Sequence, residues 1–287
     1  MGVDFHGARL LMLAKREGAS FDRVLTLGHQ WLNIEMSDMR PLFRKMRVPV
    51  VSGRLEDICR TAPYADGFLH ALGAASFTSM DASAYEKASV VHDMNLDVPD
   101  AMEGGFSLVF DGGTLEHVFN FPTAIRNCMR LLEVGGYFLS VTCANNFMGH
   151  GFYQFSPELF YRVFSPSNGF RVVHMFAAEG FRWAPWYEVK DPIEVSGRVE
   201  LVNAAPTYLL ILAQKVSQSV PFKMFPQQSD YEQKSWVGEG AQMRGASEGI
   251  GGLVKRHVPA WMRALRYGVR RGFRPKFDSK YYKRANW

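Results

Sequence analysis

The chain has 287 residues, 47% hydrophobic and 21% charged, a balance that suits one large folded domain plus an appendage and excludes intrinsic disorder. No apolar run approaches the roughly 20 residues needed to span a bilayer; the amino terminus lacks the ordered regions of a secretory signal, and Cys59, Cys128 and Cys143 stand at spacings that fit neither a disulfide framework nor a metal cluster. The net charge of +5 is uneven: residues 253–287 hold eleven Lys or Arg against Asp278 alone, for +10, which leaves −5 on the remainder.

A reducing, cytoplasmic setting is the expectation, and a partner selected by positive charge would meet the tail. In chain order, residues 10–14 followed by Lys15, Arg16, Glu17 and Gly18 predict a short helix closed by glycine. Arg23–Leu27 reads as a buried strand that runs into Gly28. Residues 33–66 read as an insertion with two short helices, at 36–46 and 54–60, placed where a segment can cover a pocket. Residues 68–72 continue as a helix and 75–80 as a strand ending at Asp81. Eight residues further on, Ser89-Val90-Val91-His92-Asp93-Met94-Asn95 read as a further strand and the turn after it.

The central stretch, 106–142, is the most explicit. Residues 106–110 form an apolar run that stops at Asp111-Gly112-Gly113, as a strand covered on both faces does at the edge of a sheet. Ile125, Cys128, Met129, Leu131 and Leu132 then recur at helical spacing, opposite Arg126 and Arg130. Gly135 and Gly136 are expected to stop the helix, and 137–141 to return as a second buried strand. Such a strand–helix–strand unit is parallel and right-handed. Ligands of these sheets sit beyond the carboxyl ends of the strands, here 111–120 and 142–154.

Further on, Ser156, Pro157 and Glu158 predict a capped helix through Phe164. Strands at 170–176 and 207–216 complete a seven-stranded sheet. Residues 177–206, with Phe181, Trp183, Trp186 and Tyr187, form a long connection suited to a substrate wall. The composition of 217–252 predicts a linker. Beyond it, Val258, Trp261, Met262, Leu265 and Val269 fall on one helical face and Arg263, Arg266 and Arg270 on another, a basic amphipathic helix within a tail spanning 253–287.

The segments FDGGTLEHVF, 110–119, and LLEVGGYFLSV, 131–141, resemble the fourth and fifth strands of class I S-adenosylmethionine-dependent methyltransferases of the small-molecule branch, and the resemblance extends over roughly 20–216. It implies an α/β domain, 1–216, with a Rossmann-like, doubly wound, mostly parallel seven-stranded sheet carrying helices on both faces, and S-adenosyl-L-methionine as cofactor. By position in that pattern, Gly28, Asp111 and Gly112 lie on the cofactor side. Asp81 accepts both ribose hydroxyls, Asp93 accepts the adenine amine, and Met94 packs on the ring. The first turn departs from the pattern: Thr26 stands where an acid is expected, and His29, Gln30 and Trp31 follow Gly28 where glycine should recur.

Methyl transfer from a sulfonium depends mainly on alignment, with a base useful where the acceptor loses a proton. His117 is the first candidate base and His150, between Gly149 and Gly151, the second. Glu116, Asn145, Asn146 and Tyr153 are candidate substrate contacts, and no metal is expected. Each has a structural alternative: Glu116 as a cap, His117 as a satisfied packed histidine, Asp111 and the asparagines as turn residues. The function expected is a methyltransferase acting on a small-molecule or glycan-type acceptor. The rival is a non-catalytic scaffold that binds a ligand or partner protein, with the tail attaching it peripherally to a membrane surface. Tryptophan and tyrosine interleaved with arginine favour a membrane or protein partner over nucleic acid, and a charged face packed on the domain is the plain alternative.

Overall fold

The structure, a computed structural model, describes residues 2–51, 53, 55–61, 63–229 and 276–286. The elements of the first half are β1 (Gly2–Val3), α1 (Phe5–Arg16), β2 (Arg23–Leu27), β3 (Trp31–Leu32), α2 (Met36–Met46), α3 (Asp66–Ala71), β4 (Ser76–Asp81) and β5 (Val90–Val91). Those of the second are β6 (Phe106–Asp111), α4 (Phe121–Leu131), β7 (Leu132–Asn145), α5 (Pro157–Val163), β8 (Phe170–Glu179), β9 (Trp186–Val189), β10 (Thr207–Lys215) and β11 (Tyr282–Arg284).

The apolar runs are continuous because each strand feeds two cores in alternation. Leu108 and Phe110 of β6 enter one core and Val109 the other; Leu139 of β7 opposes Phe138, and Leu210 and Leu212 of β10 oppose Leu209, Ile211 and Ala213. The first core is closed by α1, α2 and α3 through Leu10, Leu42 and Phe68, the second by α4 and α5 through Ile125, Met129 and Phe160. Helices therefore cover both faces, as expected. The strand order is β11-β9-β8-β10-β7-β6-β2-β4-β5. Strands β5, β4, β2, β6 and β7 pair in parallel, and β10 runs antiparallel between β7 and β8.

The sheet has nine strands where the sequence predicts seven. One extra strand, β9, lies inside the 177–206 connection, and β11 lies in the tail and pairs antiparallel with it, Tyr282 opposite Val189. Both are short strands, β11 at the edge and β9 next to it, whose stability comes from pairing, a non-local term that local composition does not carry. The end of the tail is thus part of the domain: Tyr281 and Tyr282 are buried while Lys283 and Arg284 face solvent. The predicted amphipathic helix at 258–270 lies outside the described residues. The start of the predicted linker is also fastened down, because Phe222 N donates to Asn168 Oδ1 at 3.0 Å and Ser229 Oγ to Glu158 Oε2 at 2.9 Å.

Several boundaries move for local reasons. Helix α1 starts at Phe5, since Asp4 Oδ1 accepts from Gly7 N at 2.8 Å and caps it earlier than the hydrophobic spacing shows. Segment 54–60 forms a 3-10 turn, Leu55–Thr61, and Ser156 occupies the N-cap of α5 without a side-chain cap bond. Helix α4 ends at Leu131, before the glycines. Leu132 already pairs with Phe106, and Gly135, with φ of 93°, bends the early part of β7. A two-stranded parallel sheet of β1 and β3 was not foreseen. No helix among the described residues is long and apolar enough to cross a membrane.

The amino-terminal helix is joined to β9 by His6, which is 1% exposed. Its Nδ1 accepts from Trp186 Nε1 at 2.9 Å and its Nε2 donates to Glu179 O at 3.2 Å, which fixes the neutral ring. Burial holds the His6 pKa below its ordinary 6.5. A depressed histidine contributes stability that is complete above the unfolded value and is lost as pH falls through it. Urea unfolding should therefore show stability declining below about pH 6.5, with the decline reduced in His6→Gln. Tyr282→Ala should lower the unfolding free energy by about 3 kcal/mol; an unchanged value would mean that β11 adds nothing to the fold.

Candidate active site

Strand register brings the ends of the parallel strands to one edge: Leu27 lies opposite Met80 and Asp111, Asp81 opposite Val91, and Asp111 opposite Ser140. Gly28, Asp81, Asp93, the 111–117 turn and the 145–154 loop all follow from that edge, where an open α/β sheet binds its ligand.

The first turn keeps its shape without the expected acid. Gly28 has φ of 78° and its N–H donates to Met80 O at 2.6 Å. Buried Thr26 donates through Oγ1 to Gly28 O at 2.7 Å, and Thr114 Oγ1 donates to Leu27 O at 2.9 Å. A Cβ at Gly28 would stand 3.6 Å from Asp81 Oδ2, so the two predicted cofactor residues are neighbours. His29 points away. It stacks on Tyr64 with centroids 3.6 Å apart, and its Nε2 lies 3.0 Å from Asp66 Oδ1. Gln30 does the opposite. Its side chain folds back over the strand ends, Nε2 donating to Leu27 O, and its Oε1 lies where a Cβ on Gly112 would be. That Oε1 is buried with no hydrogen-bond partner among the described residues.

On the neighbouring ends, Asp81 is half-buried and its Oδ1 accepts from Ser83 N at 3.1 Å. Asp93 is exposed, and its Oδ1 accepts from Asn95 N at 2.9 Å and Nδ2 at 2.8 Å, bonds that hold its carboxyl below the usual range. Met94, expected on the adenine ring, is 5% exposed and packs instead in the core on the α4 side. Asp111, expected to face the cofactor, is wholly buried: Oδ1 accepts from Thr114 N at 2.8 Å and Leu115 N at 3.3 Å, and Oδ2 from Ser140 Oγ at 2.7 Å. It closes the turn, as its structural alternative required. Burial pushes its pKa up.

The predicted bases come together. The His117 and His150 rings meet edge to face with centroids 4.8 Å apart, and His150 Nε2 is 3.7 Å from Glu116 Oε1. Glu116, expected to touch substrate, is 0% exposed. Its Oε2 accepts from Thr142 Oγ1 at 3.0 Å and its Oε1 from Cys143 Sγ at 3.6 Å. Desolvation and, after it, the negative charge of Asp111 push the Glu116 pKa up to about 7. Burial, with a smaller contribution from His150, lowers that of His117.

Asn145 and Asn146 use their amides to hold a loop. Asn145 Nδ2 donates to Asn203 Oδ1 at 2.8 Å and Asn146 Nδ2 to Ala205 O at 2.9 Å. Tyr153 OH donates to Phe119 O at 2.6 Å and thereby ties the two rim loops together. Thr142 and Cys143 carry no signal in the sequence, because each meets Glu116 from at least 26 residues away, and Asn203 joins the site through Asn145, 58 residues away. Gln30 could have been found: it is the bulky residue in a turn that calls for glycine.

No family model and no curated protein matches the chain. Among solved structures it is similar to the 1,6-didemethyltoxoflavin-N1-methyltransferase of Burkholderia thailandensis, determined with 1,6-didemethyltoxoflavin and S-adenosylhomocysteine bound. Identity there is 14%, covering 74% of this chain and 79% of that one, with a TM-score of 0.39. It is similar also to an S-adenosylmethionine-dependent methyltransferase of Mesorhizobium loti, at 16% identity, covering 74% of this chain and all of that one, with a TM-score of 0.38. The strand order defines the class on its own terms. Five parallel strands followed by β10 inserted antiparallel between β7 and β8 form a Rossmann-like, doubly wound α/β sheet.

The loop that carries His150 depends on one of its two glycines. Gly151 has φ of 66°, and a Cβ there would come within 2.8 Å of Glu116 O, the acceptor of the Phe152 and Tyr153 amides. A Cβ at Gly149 would meet nothing within 4 Å among the described residues. Thermal unfolding should accordingly show Gly151→Ala losing about 1–2 kcal/mol or more and Gly149→Ala close to wild type; equal losses would contradict the loop geometry.

Proposed function

We propose that the chain is an S-adenosylmethionine-dependent methyltransferase acting on a small-molecule or glycan-type acceptor. The observation that carries this reading is the adjacency of Gly28 and Asp81 at one strand edge, with the Glu116, His117 and His150 group a few residues beyond the neighbouring strand ends. Bare backbone at Gly28 and a carboxylate at Asp81 fit a nucleoside, because a carboxylate accepts two vicinal hydroxyls. The amino-acid half of the cofactor fits only when Gln30 swings out from between Leu27 and Gly112.

When bound, S-adenosylmethionine supplies an activated methyl on a sulfonium. The protein's part is to hold the acceptor in line and to take its proton. His117 is exposed at the mouth, and its lowered pKa leaves it neutral and able to accept a proton near neutral pH. Phe119 and Phe152, both exposed, stand edge to face 5.8 Å apart on the rim and offer exposed apolar ring faces for contact with an aromatic ring or a sugar face. A second reading, a scaffold that no longer binds the cofactor, is favoured by one observation, the Gln30 side chain in the first turn.

Calorimetric titration with S-adenosylmethionine and S-adenosylhomocysteine separates the two. An active transferase binds both in the micromolar range and loses that binding in Asp81→Ala. Gln30→Ala should bind about fivefold more tightly, since the hydrogen bond to Leu27 O, worth about 1 kcal/mol, no longer has to be broken. A folded protein that binds neither ligand, with Gln30→Ala no better, would leave the scaffold as the function.

A further inference from the structure

Three ligand-type side chains outside the cofactor cradle converge at the ends of β6 and β7. Glu116, His117 and His150 each offer one atom, and these atoms lie within 4.8 Å of one another. We propose that they form a binding site for a divalent first-row transition-metal ion of the Zn²⁺, Fe²⁺ or Mn²⁺ class. Two imidazoles and one carboxylate form a mixed nitrogen and oxygen donor set that suits these ions better than Mg²⁺ or Ca²⁺, which prefer oxygen alone.

One ligand atom, His150 Nε2, lacks a hydrogen-bond partner among the described residues, and the carboxylate beside it is bonded by neutral donors. Glu116 is a fully buried carboxylate whose neighbours are the neutral donors Thr142 and Cys143 and, at 3.7 Å, the His150 ring. His150 Nε2 is buried and makes no hydrogen bond among the described residues. At 3.7 Å its separation from Glu116 Oε1 is too long for a hydrogen bond. It is close to the spacing of about 3.3 Å between two donors that each lie about 2.0 Å from a shared tetrahedral ion. His117, exposed at the mouth, needs to turn by about 1.5 Å to complete that spacing.

The surroundings are built as a support for such a site. Thr142 Oγ1 fixes the second carboxylate oxygen, and the Glu116 carbonyl is clasped by Phe152 N at 2.8 Å and Tyr153 N at 3.2 Å. Those bonds staple the loop bearing His150 onto the turn bearing Glu116 and His117, so two chain segments present three ligands from one fixed frame. The exposed side at His117, beside Phe119 and Phe152, leaves positions for water or for an acceptor oxygen. A cation there would offset the two buried carboxylates Asp111 and Glu116 and would lower the pKa of a bound hydroxyl. In that state the histidines act as ligands and the cation takes over the acid–base role given to His117 above. The metal site does not require S-adenosylmethionine binding, and its test uses neither cofactor nor acceptor.

The full chain, stripped with a chelator, is titrated calorimetrically with Zn²⁺ and with Mn²⁺, and with Co²⁺ followed by its visible absorption. The result expected is one ion per chain. Affinity should fall by about a hundredfold or more in His150→Ala and in Glu116→Gln, since loss of a ligand exceeds the 10- to 100-fold effect of an outer-shell change, and the cobalt band should disappear in both. His150 is a third exposed and its replacement should leave the fold intact by circular dichroism, which keeps the test informative if Glu116→Gln unfolds. His92→Ala, a histidine outside the cluster, should bind as wild type. Absence of binding, or equal binding by wild type and His150→Ala, would overturn the site.

Discussion

A buried carboxylate with no cationic partner among the described residues, Asp111, holds the ends of the two central strands together. Its three bonds come from Ser140 of the neighbouring strand and from the amides of Thr114 and Leu115 in its own turn. Burying a carboxyl costs free energy unless hydrogen bonds replace its water, and here they are arranged so that the turn has one shape. Everything beyond the turn inherits that shape. Thr114 is placed to bond Leu27 O, Glu116 is turned inward to Thr142 and Cys143, and His117 is left at the mouth.

The second constraint is the crowding of the first turn. Leu27 O accepts from both Thr114 and Gln30, so one carbonyl ties the ends of β2 and β6 and also holds the side chain that fills the space beside Gly112. A glycine at 30 would leave that space open. The glutamine makes entry of a ligand contingent on a side-chain movement and leaves an unsatisfied buried oxygen while it stays. An unsatisfied buried polar atom costs about 1–3 kcal/mol, a standing bias toward opening that a ligand can use. Thr26, meanwhile, fixes the Gly28 carbonyl.

The far edge of the sheet follows a different logic. Strand β9 is anchored from one side by the Trp186 indole on His6, with the Arg9 guanidinium 4.1 Å over the same ring, and from the other by the pairing of β11. A strand of four residues is marginal by itself. Packed between the amino-terminal helix and the end of the chain, it couples the two termini, and the charged residues of β11 face solvent and blunt the new edge.

The parallel half of the sheet was legible in the sequence because its signals are local. Apolar runs at 106–110 and 137–141, the helical spacing between them and the acids or glycines at the strand ends are each fixed by neighbours a few residues away. From the same pattern followed the two-sided helical cover and the placement of Gly28, Asp81, His117 and His150 at one edge. Only the tertiary structure decided what depends on distant partners. The pairing of β9 with β11 joins residues nearly a hundred apart, Met94 turned into the core, and Asp111 and Glu116 were buried rather than turned to a ligand. The direction of a side chain at a strand end is set by what packs against it, and for Glu116 that is Thr142 and Cys143 on the next strand, which no window along the chain brings into view.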